Sequence, residues 1–106
     1  MAEQYIFFDD VTAQSQVPEN GILSRALHND DRSKLVLFSF AAGQELSAHT
    51  APYPAILTFL KGNAALRLAG NLLEAGPGTV VYMPAGLEHG IQAKSELIML
   101  LTMIKR

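Results

Sequence analysis

Short apolar runs separated by turn residues make up most of this chain. Beyond residue 20, a turn signal formed by Gly, Pro, Asn or a charged cluster recurs about every eight to twelve residues. No segment keeps the 3.6-residue hydrophobic period that an amphipathic helix requires. The pattern therefore predicts short β-strands that assemble into an all-β sandwich or barrel.

The apolar runs also give the predicted strand positions. Strands are expected over residues 5–8, 22–28, 35–42, 46–50, 55–60, 64–68, 72–74, 79–83, 89–93 and 97–104. Residues 9–20 form a polar segment in which Pro18 and Asn20-Gly21 mark a turn. The run 97–104, LIMLLTMI, is apolar on both faces, which is typical of a strand that packs inside and is also covered outside.

Length and composition bound the domain organisation. A chain of 106 residues is predicted to form one domain that buries roughly 60–70% of its unfolded surface. We divide it into an N-terminal strand and arm over residues 1–20 and a barrel over residues 35–104. Charged residues make up only 17%, against about a quarter in typical soluble domains. We therefore expect extra surface to be covered, most simply by a second copy in a homodimer.

The charge pattern narrows the classes of partner. Eight Lys plus Arg against ten Asp plus Glu give a net charge of −2 with no basic stripe, which disfavours nucleic acid and anionic membranes. No cysteine is present, so thiol chemistry and disulfides are excluded. Residues 1–10 place acidic residues on both sides of an apolar run, unlike a secretory signal, and the run 97–104 is too short to span a bilayer. These features predict a cytoplasmic protein.

Two histidines carry the candidate chemistry. His49 follows Gly43 by six positions, and His89 ends the stretch GTVVYMPAGLEH that begins at Gly78. We predict that the two imidazoles, forty residues apart in the chain, face each other inside the barrel. Whatever this protein binds or transforms is then expected to lie between them.

The same positions resemble the two motifs of the cupin superfamily, over about residues 35–104. The first motif runs glycine, five residues, histidine, one residue, histidine, three or four residues, glutamate, six residues, glycine. The second runs glycine, five residues, proline, one residue, glycine, two residues, histidine. The matching residues are Gly43, His49 and Gly62 in the first motif and Gly78, Pro84, Gly86 and His89 in the second. The resemblance implies a single cupin-like β-barrel (a double-stranded β-helix, or jelly roll) that is often dimeric.

The resemblance also implies a divalent metal site, because many cupins hold a metal on three histidines and a glutamate. Here Ala51 occupies the second histidine position and Ala55 the glutamate position, which leaves His49 and His89 as metal ligands. Catalytic transition-metal sites usually keep about three protein ligands. The expected metal is Zn, Fe, Mn or Ni, which two imidazoles alone would hold weakly, and Tyr53 is the candidate third ligand.

Strand alternation predicts the walls of the pocket. If Ala55 points inward, a period of two places its neighbours of equal parity inward as well, and the strand of His89 follows the same rule. Tyr82 and Met83 straddle the wall before the Pro84 corner, and parity alone leaves open which of them faces in. The predicted ligand-binding residues are Tyr53, Leu57, Phe59, Tyr82, Met83 and Ile91. Such a cavity suits a small apolar or weakly polar ligand.

Three classes of function follow from this pocket. In the favoured one, the barrel binds a divalent metal, a small ligand or both through His49 and His89, and catalysis is not required. In the second, it is a metal-dependent oxygenase or isomerase, which the lack of an interior carboxylate disfavours. In the third, it is a metal-free sensor or scaffold in which the two histidines are structural.

Overall fold

The computed structural model describes residues 5–106, and its regular structure is almost entirely β. A short 3₁₀ helix, Val11–Gln14, precedes the strands. The strands are β1 (Ile22–Asn29), β2 (Ser33–Phe40), β3 (Glu45–His49), β4 (Ala55–Lys61), β5 (Ala64–Leu68), β6 (Asn71–Ala75), β7 (Val80–Met83), β8 (His89–Ala93) and β9 (Leu97–Ile104). The predicted β5, β8 and β9 have these bounds, and the other predicted strands from residue 22 onward differ from the observed ones by one or two residues at an end.

The strands form two antiparallel sheets. One sheet has five strands in the order β1-β2-β9-β4-β7, and the other has four in the order β3-β8-β5-β6. Strands distant in sequence are therefore neighbours in space, as β2 and β9 are. The core draws buried side chains from both sheets, so the sheets pack face to face around it. This arrangement confirms the predicted all-β, jelly-roll barrel.

Strand β4 shows how the sequence builds the core. Ala55, Leu57 and Phe59 are buried, whereas the alternate residues Ile56, Thr58 and Leu60 are only half-buried. The side chains of a strand point alternately to its two faces, so a strand of this composition turns one apolar row inward. Phe59 is fully buried. Burial of such a side chain stabilises the fold by about 1.5–3 kcal/mol relative to exposure.

Strand β9 is covered on both faces, as its composition predicts. It lies between β2 and β4, and Leu97, Ile98 and Met99 are all buried. On the outer face, Ile98 pairs with Ser39, whose hydroxyl accepts a hydrogen bond of 3.2 Å from the backbone N–H of Gln16. The N-terminal arm therefore supplies part of the cover, and the homodimer stays a prediction.

Residues 5–8 do not form the predicted strand. They have no regular structure, and the side chains of Tyr5 and Phe7 are 73% and 76% exposed. An apolar run has β propensity, but a strand needs a neighbour to accept and donate its backbone hydrogen bonds. No strand of the described chain pairs with this run.

The polar segment that follows contains an element that the pattern did not predict. The 3₁₀ helix Val11–Gln14 starts after Asp10, whose carboxylate accepts a hydrogen bond of 3.1 Å from the backbone N–H of Thr12.

Within residues 5–106 no helix is long and apolar enough to cross a membrane. The cytoplasmic location stays a prediction.

Gly62, the last glycine of the first motif, can be tested against a matched glycine. Gly62 and Gly43 both have φ +85°, but a Cβ at Gly62 would collide with the backbone carbonyl of Glu96, whereas one at Gly43 meets nothing within 4 Å. Gly43→Ala is expected to lower the free energy of unfolding by about 1–2 kcal/mol because of its left-handed backbone. Gly62→Ala should lose a further 1–3 kcal/mol or so through overpacking.

Denaturant unfolding of the two variants and the native chain measures this difference. Equal losses in both variants would show that the close approach of Gly62 to Glu96 contributes nothing to stability.

Candidate functional site

The structure brings the two predicted histidines together. His49 ends β3 and His89 begins β8, and the two residues are directly opposite each other in the antiparallel pair. Their ring centroids are 4.4 Å apart and the ring planes are tilted by 53°. His89 is buried at 9% exposure, whereas His49 is exposed. One imidazole therefore lies in the wall of the barrel and the other at its mouth.

A bulge in β3 creates this pairing. Leu46 pairs with Ile91, and His49 pairs with His89, so three steps along β3 match two steps along β8. In a regular ladder, Ala48 would lie opposite His89 and His49 would point to the other face of the sheet. The extra residue moves His49 onto the face that His89 occupies. The short spacing between the two rings depends on this irregularity.

Gly90 makes room for the bulge. A Cβ on Gly90 would lie 3.1 Å from the backbone N of Ala48 and 3.3 Å from both the Cα of Ala48 and the carbonyl oxygen of Leu46. The bulged backbone thus passes directly over a residue without a side chain. Gly90 lies between His89 and Ile91, both of which are buried on the inner side. The strand position next to His89 is therefore free of side-chain atoms.

Backbone carbonyls orient the two rings in the same way. Nδ1 of His49 lies 2.8 Å from the carbonyl oxygen of Ser47, and Nδ1 of His89 lies 2.9 Å from that of Leu87. A carbonyl oxygen can only accept, so each Nδ1 carries a hydrogen and donates it. In the neutral rings both Nε2 atoms then hold a free lone pair. Metal-ligating histidines commonly donate their other ring N–H to a backbone carbonyl in this manner.

Both rings line a cavity of about 110 Å³ between the sheets. Its other lining residues are Ala51, Tyr53, Ala55, Met83, Pro84, Leu87, Leu101 and Met103. An adjoining recess of about 60 Å³ also touches both histidines and Leu101, and it is closed by Phe38, Leu46, Leu57, Ile91 and Met99. Pockets for drug-sized ligands measure about 300–1,000 Å³. This space is suited instead to an ion and a molecule of a few heavy atoms.

Most of the predicted ligand-binding residues lie around this space. Tyr53, which is 40% exposed, and Met83, which is 3% exposed, line the main cavity. Leu57 and Ile91 line the recess. Their part in binding stays a prediction, since the structure gives only their positions.

Two of the predicted ligand-binding residues lie elsewhere. Tyr82 is 60% exposed and lies on the outer face of β7, because its neighbour Met83 takes the inward position. Phe59 is fully buried in the core and contacts neither the cavity nor the recess. It has the same inward parity as Ala55, but it lies four residues farther along β4, where the core is filled.

Sequence reasoning missed Leu101 and Met103 in β9. Leu101 pairs with Leu57, and Met103 pairs with Ala55, so both share the inward parity of β4. In a strand that is apolar on both faces, the hydropathy pattern does not show which residues point inward. The sequence therefore gave no signal for these two residues. Knowing that β9 pairs with β4 would have been needed to find them.

The cavity contains no charged side chain. None of the residues that line it or its recess is Asp, Glu, Lys or Arg. Over residues 5–106, no group of three or more His, Cys, Asp or Glu side chains is placed to hold a metal. The lining residues whose side chains carry donor atoms are His49, His89, Tyr53 and the methionines. Any ion bound there would be held by neutral ligands.

The third histidine, His28, belongs to a different part of the molecule. Its Nε2 lies 2.8 Å from Oδ2 of Asp30 at the turn between β1 and β2. This hydrogen bond, with those from the backbone N–H groups of Arg32 and Ser33, holds the pKa of Asp30 well below its usual value. His28 thus stabilises a hairpin turn and serves as a control for the paired histidines.

The role of Gly90 in the bulge predicts a local effect of Gly90→Ala. The added Cβ must displace the Ala48 backbone by a few tenths of an ångström, so the ring NMR resonances of His49 should shift and stability should fall by about 1–3 kcal/mol. Gly21→Ala is the control, because its Cβ would meet only Pro18 Cγ at 3.9 Å. Unchanged His49 resonances in Gly90→Ala would contradict the dependence of the pair on this contact.

Comparison with known proteins places this geometry in a family. A family model described as the cupin domain matches residues 36–105. No curated protein sequence matches the chain. Several solved structures, in contrast, are similar along its whole length.

One is a conserved protein of unknown function from Streptococcus pyogenes, with 27% identity, a TM-score of 0.84, and coverage of 100% of this chain and 91% of that one. Another is a cupin superfamily protein from Desulfitobacterium hafniense DCB-2, with 25% identity, a TM-score of 0.86, and coverage of 100% and 95%. A cupin 2 conserved barrel domain protein from Leptotrichia buccalis is 27% identical with a TM-score of 0.82, over 89% of this chain and 46% of that one. Since the family model matches residues 36–105, a stretch that includes both His49 and His89, this protein belongs to the cupin family.

Proposed function

We propose that this cupin is a binding barrel that holds a transition-metal ion on Nε2 of His49 and Nε2 of His89, with a small apolar or weakly polar ligand beside it. Catalysis is not required for this role. The observation that carries the proposal is the matched orientation of two imidazoles whose Nδ1 atoms are both tied to backbone carbonyls. Both rings line the same cavity, which supports a role for their Nε2 atoms in binding.

The environment of the pair supports binding rather than a purely structural role. A structural histidine usually uses both ring nitrogens in hydrogen bonds within the fold. Here each ring makes one hydrogen bond through Nδ1, and neither Nε2 has a partner in the described chain. The Nε2 atoms therefore remain available to a ligand.

Metal-free binding is a second candidate, favoured by the apolar lining of the cavity. A hydroxyl or amine of a small ligand could donate to either Nε2, while its apolar part contacted Leu87, Leu101 and Met103. The oxygenase or isomerase alternative has less support. The only groups at the cavity that could transfer a proton are the two imidazoles and the Tyr53 hydroxyl.

Metal titration of the purified, chelator-treated protein tests the proposal. We expect the native chain to bind about one Zn²⁺ or Ni²⁺ per barrel, measured by calorimetry and elemental analysis. His49→Ala and His89→Ala should each weaken binding by at least about tenfold, because a single imidazole remains. His28→Ala should bind as the native chain does.

The variants also separate the competing functions. Loss of affinity in His28→Ala but not in the paired-histidine variants would place the metal elsewhere and overturn the proposal. No metal binding by the native chain, together with ring NMR shifts on addition of small alcohols or amines, would favour the metal-free alternative.

A further inference from the structure

We infer that the cavity is selective for a soft, singly charged ion, Cu(I), and that the thioethers of Met83 and Met103 complete the donor set begun by His49 and His89. The inference rests on the proposed function, since it requires metal binding by the histidine pair. It adds the identity of the further ligands and the class of metal that they select.

The register of the five-stranded sheet places the two methionines together. Ala55 in β4 pairs with Met83 of β7 on one side and with Met103 of β9 on the other. Directly paired residues of adjacent strands point to the same face, and Ala55 and Met83 are buried on the inner one. The two thioethers therefore flank one inward position from opposite sides.

The residue between them leaves the cavity open to their sulfur atoms. Ala55 has a side chain of a single methyl group, and so does Ala51 at the mouth. All four of these residues line the main cavity, together with His49 and His89. A methionine side chain has three flexible torsions and adapts to an ion without backbone movement. Met83, Met103, His49 and His89 thus line a common space of about 110 Å³.

The absence of charge at the cavity favours a monovalent ion. The desolvation penalty of a buried ion rises steeply with its charge, and it is offset mainly by charges of opposite sign. No carboxylate lines the cavity or its recess. A divalent ion would keep its full double charge among neutral donors. A singly charged ion carries a penalty about fourfold smaller in a continuum estimate.

The chemistry of the donors leads to the same ion. Thioether sulfur is a soft ligand that selects Cu(I), and imidazole also suits copper. Mn²⁺ and Mg²⁺ prefer carboxylate, carbonyl or water oxygen. A neutral set of two nitrogens and two sulfurs therefore combines the charge and the softness that Cu(I) requires. Zn²⁺, held by the imidazoles alone, gains nothing from the thioethers.

The test compares Cu(I) and Zn²⁺ in the native chain and in a Met83→Leu/Met103→Leu double variant. Cu(I) affinity is measured anaerobically by competition with bathocuproine disulfonate, and Zn²⁺ affinity by competition with a chromogenic zinc chelator. Methionine-to-leucine exchange conserves volume and usually costs less than about 1.5 kcal/mol, so the variant should fold, as thermal unfolding will check. Met99→Leu, in the adjoining recess, tests whether the third thioether near the histidines holds the ion instead.

We expect the double variant to lose at least about tenfold in Cu(I) affinity while its Zn²⁺ affinity changes by less than about threefold. X-ray absorption of the Cu(I)-loaded native chain should show sulfur scattering that is absent from the double variant. Equal Cu(I) affinity in the two proteins, or a loss caused by Met99→Leu instead, would overturn the assignment. If His49→Ala abolishes the binding of both ions but the methionine double variant binds both as the native chain does, this inference is refuted and the proposed function stays intact. A native chain that binds neither ion would refute both.

Discussion

The candidate site depends on a local break in an antiparallel ladder. One extra residue in β3 moves His49 opposite His89, and without it Ala48 would take that position. The break is sterically allowed because Gly90 presents no Cβ to the Ala48 backbone. The close pair of imidazoles is therefore a property of the β3–β8 backbone pairing. The hydrogen bond from each Nδ1 to a backbone carbonyl then fixes the orientation of the ring.

The surroundings of the pair determine what it can bind. Alanines replace the longer polar ligands that the cupin motifs would provide, and the walls are aliphatic, aromatic or thioether groups. Such a cavity offers no negatively charged side chain to a bound ion and no carboxylate for proton transfer. Its two uncommitted Nε2 atoms can still coordinate or accept hydrogen bonds. The barrel thus has the cupin scaffold, and the residues that line its cavity are neutral.

Much of the fold could be predicted from local signals. Turn residues set the ends of the strands, and alternation gave the inward residues of β4 and β8 once the motif positions Ala55 and His89 were taken to point inward. The strand predicted over residues 5–8 was wrong because an apolar run does not reveal whether a neighbouring strand is available to pair with it. Tyr82 and Met83 could not be assigned, since the strand before the Pro84 corner is too short for its pattern to fix its parity. Leu101 and Met103 were missed because β9 is apolar on both faces.

The sequence alone determined the fold class, through its turn residues and hydrophobic periodicity. The spacing of glycine, proline and histidine also gave the cupin motifs and the two histidines. Tertiary structure decided the register. Only the pairing of β3 with β8 shows that a bulge brings His49 to His89, and only the pairing of β4 with β7 and β9 places Met83 and Met103 on either side of Ala55. Hydrogen bonds between strands distant in the chain fix these relations, and no local pattern encodes which partner a strand will find.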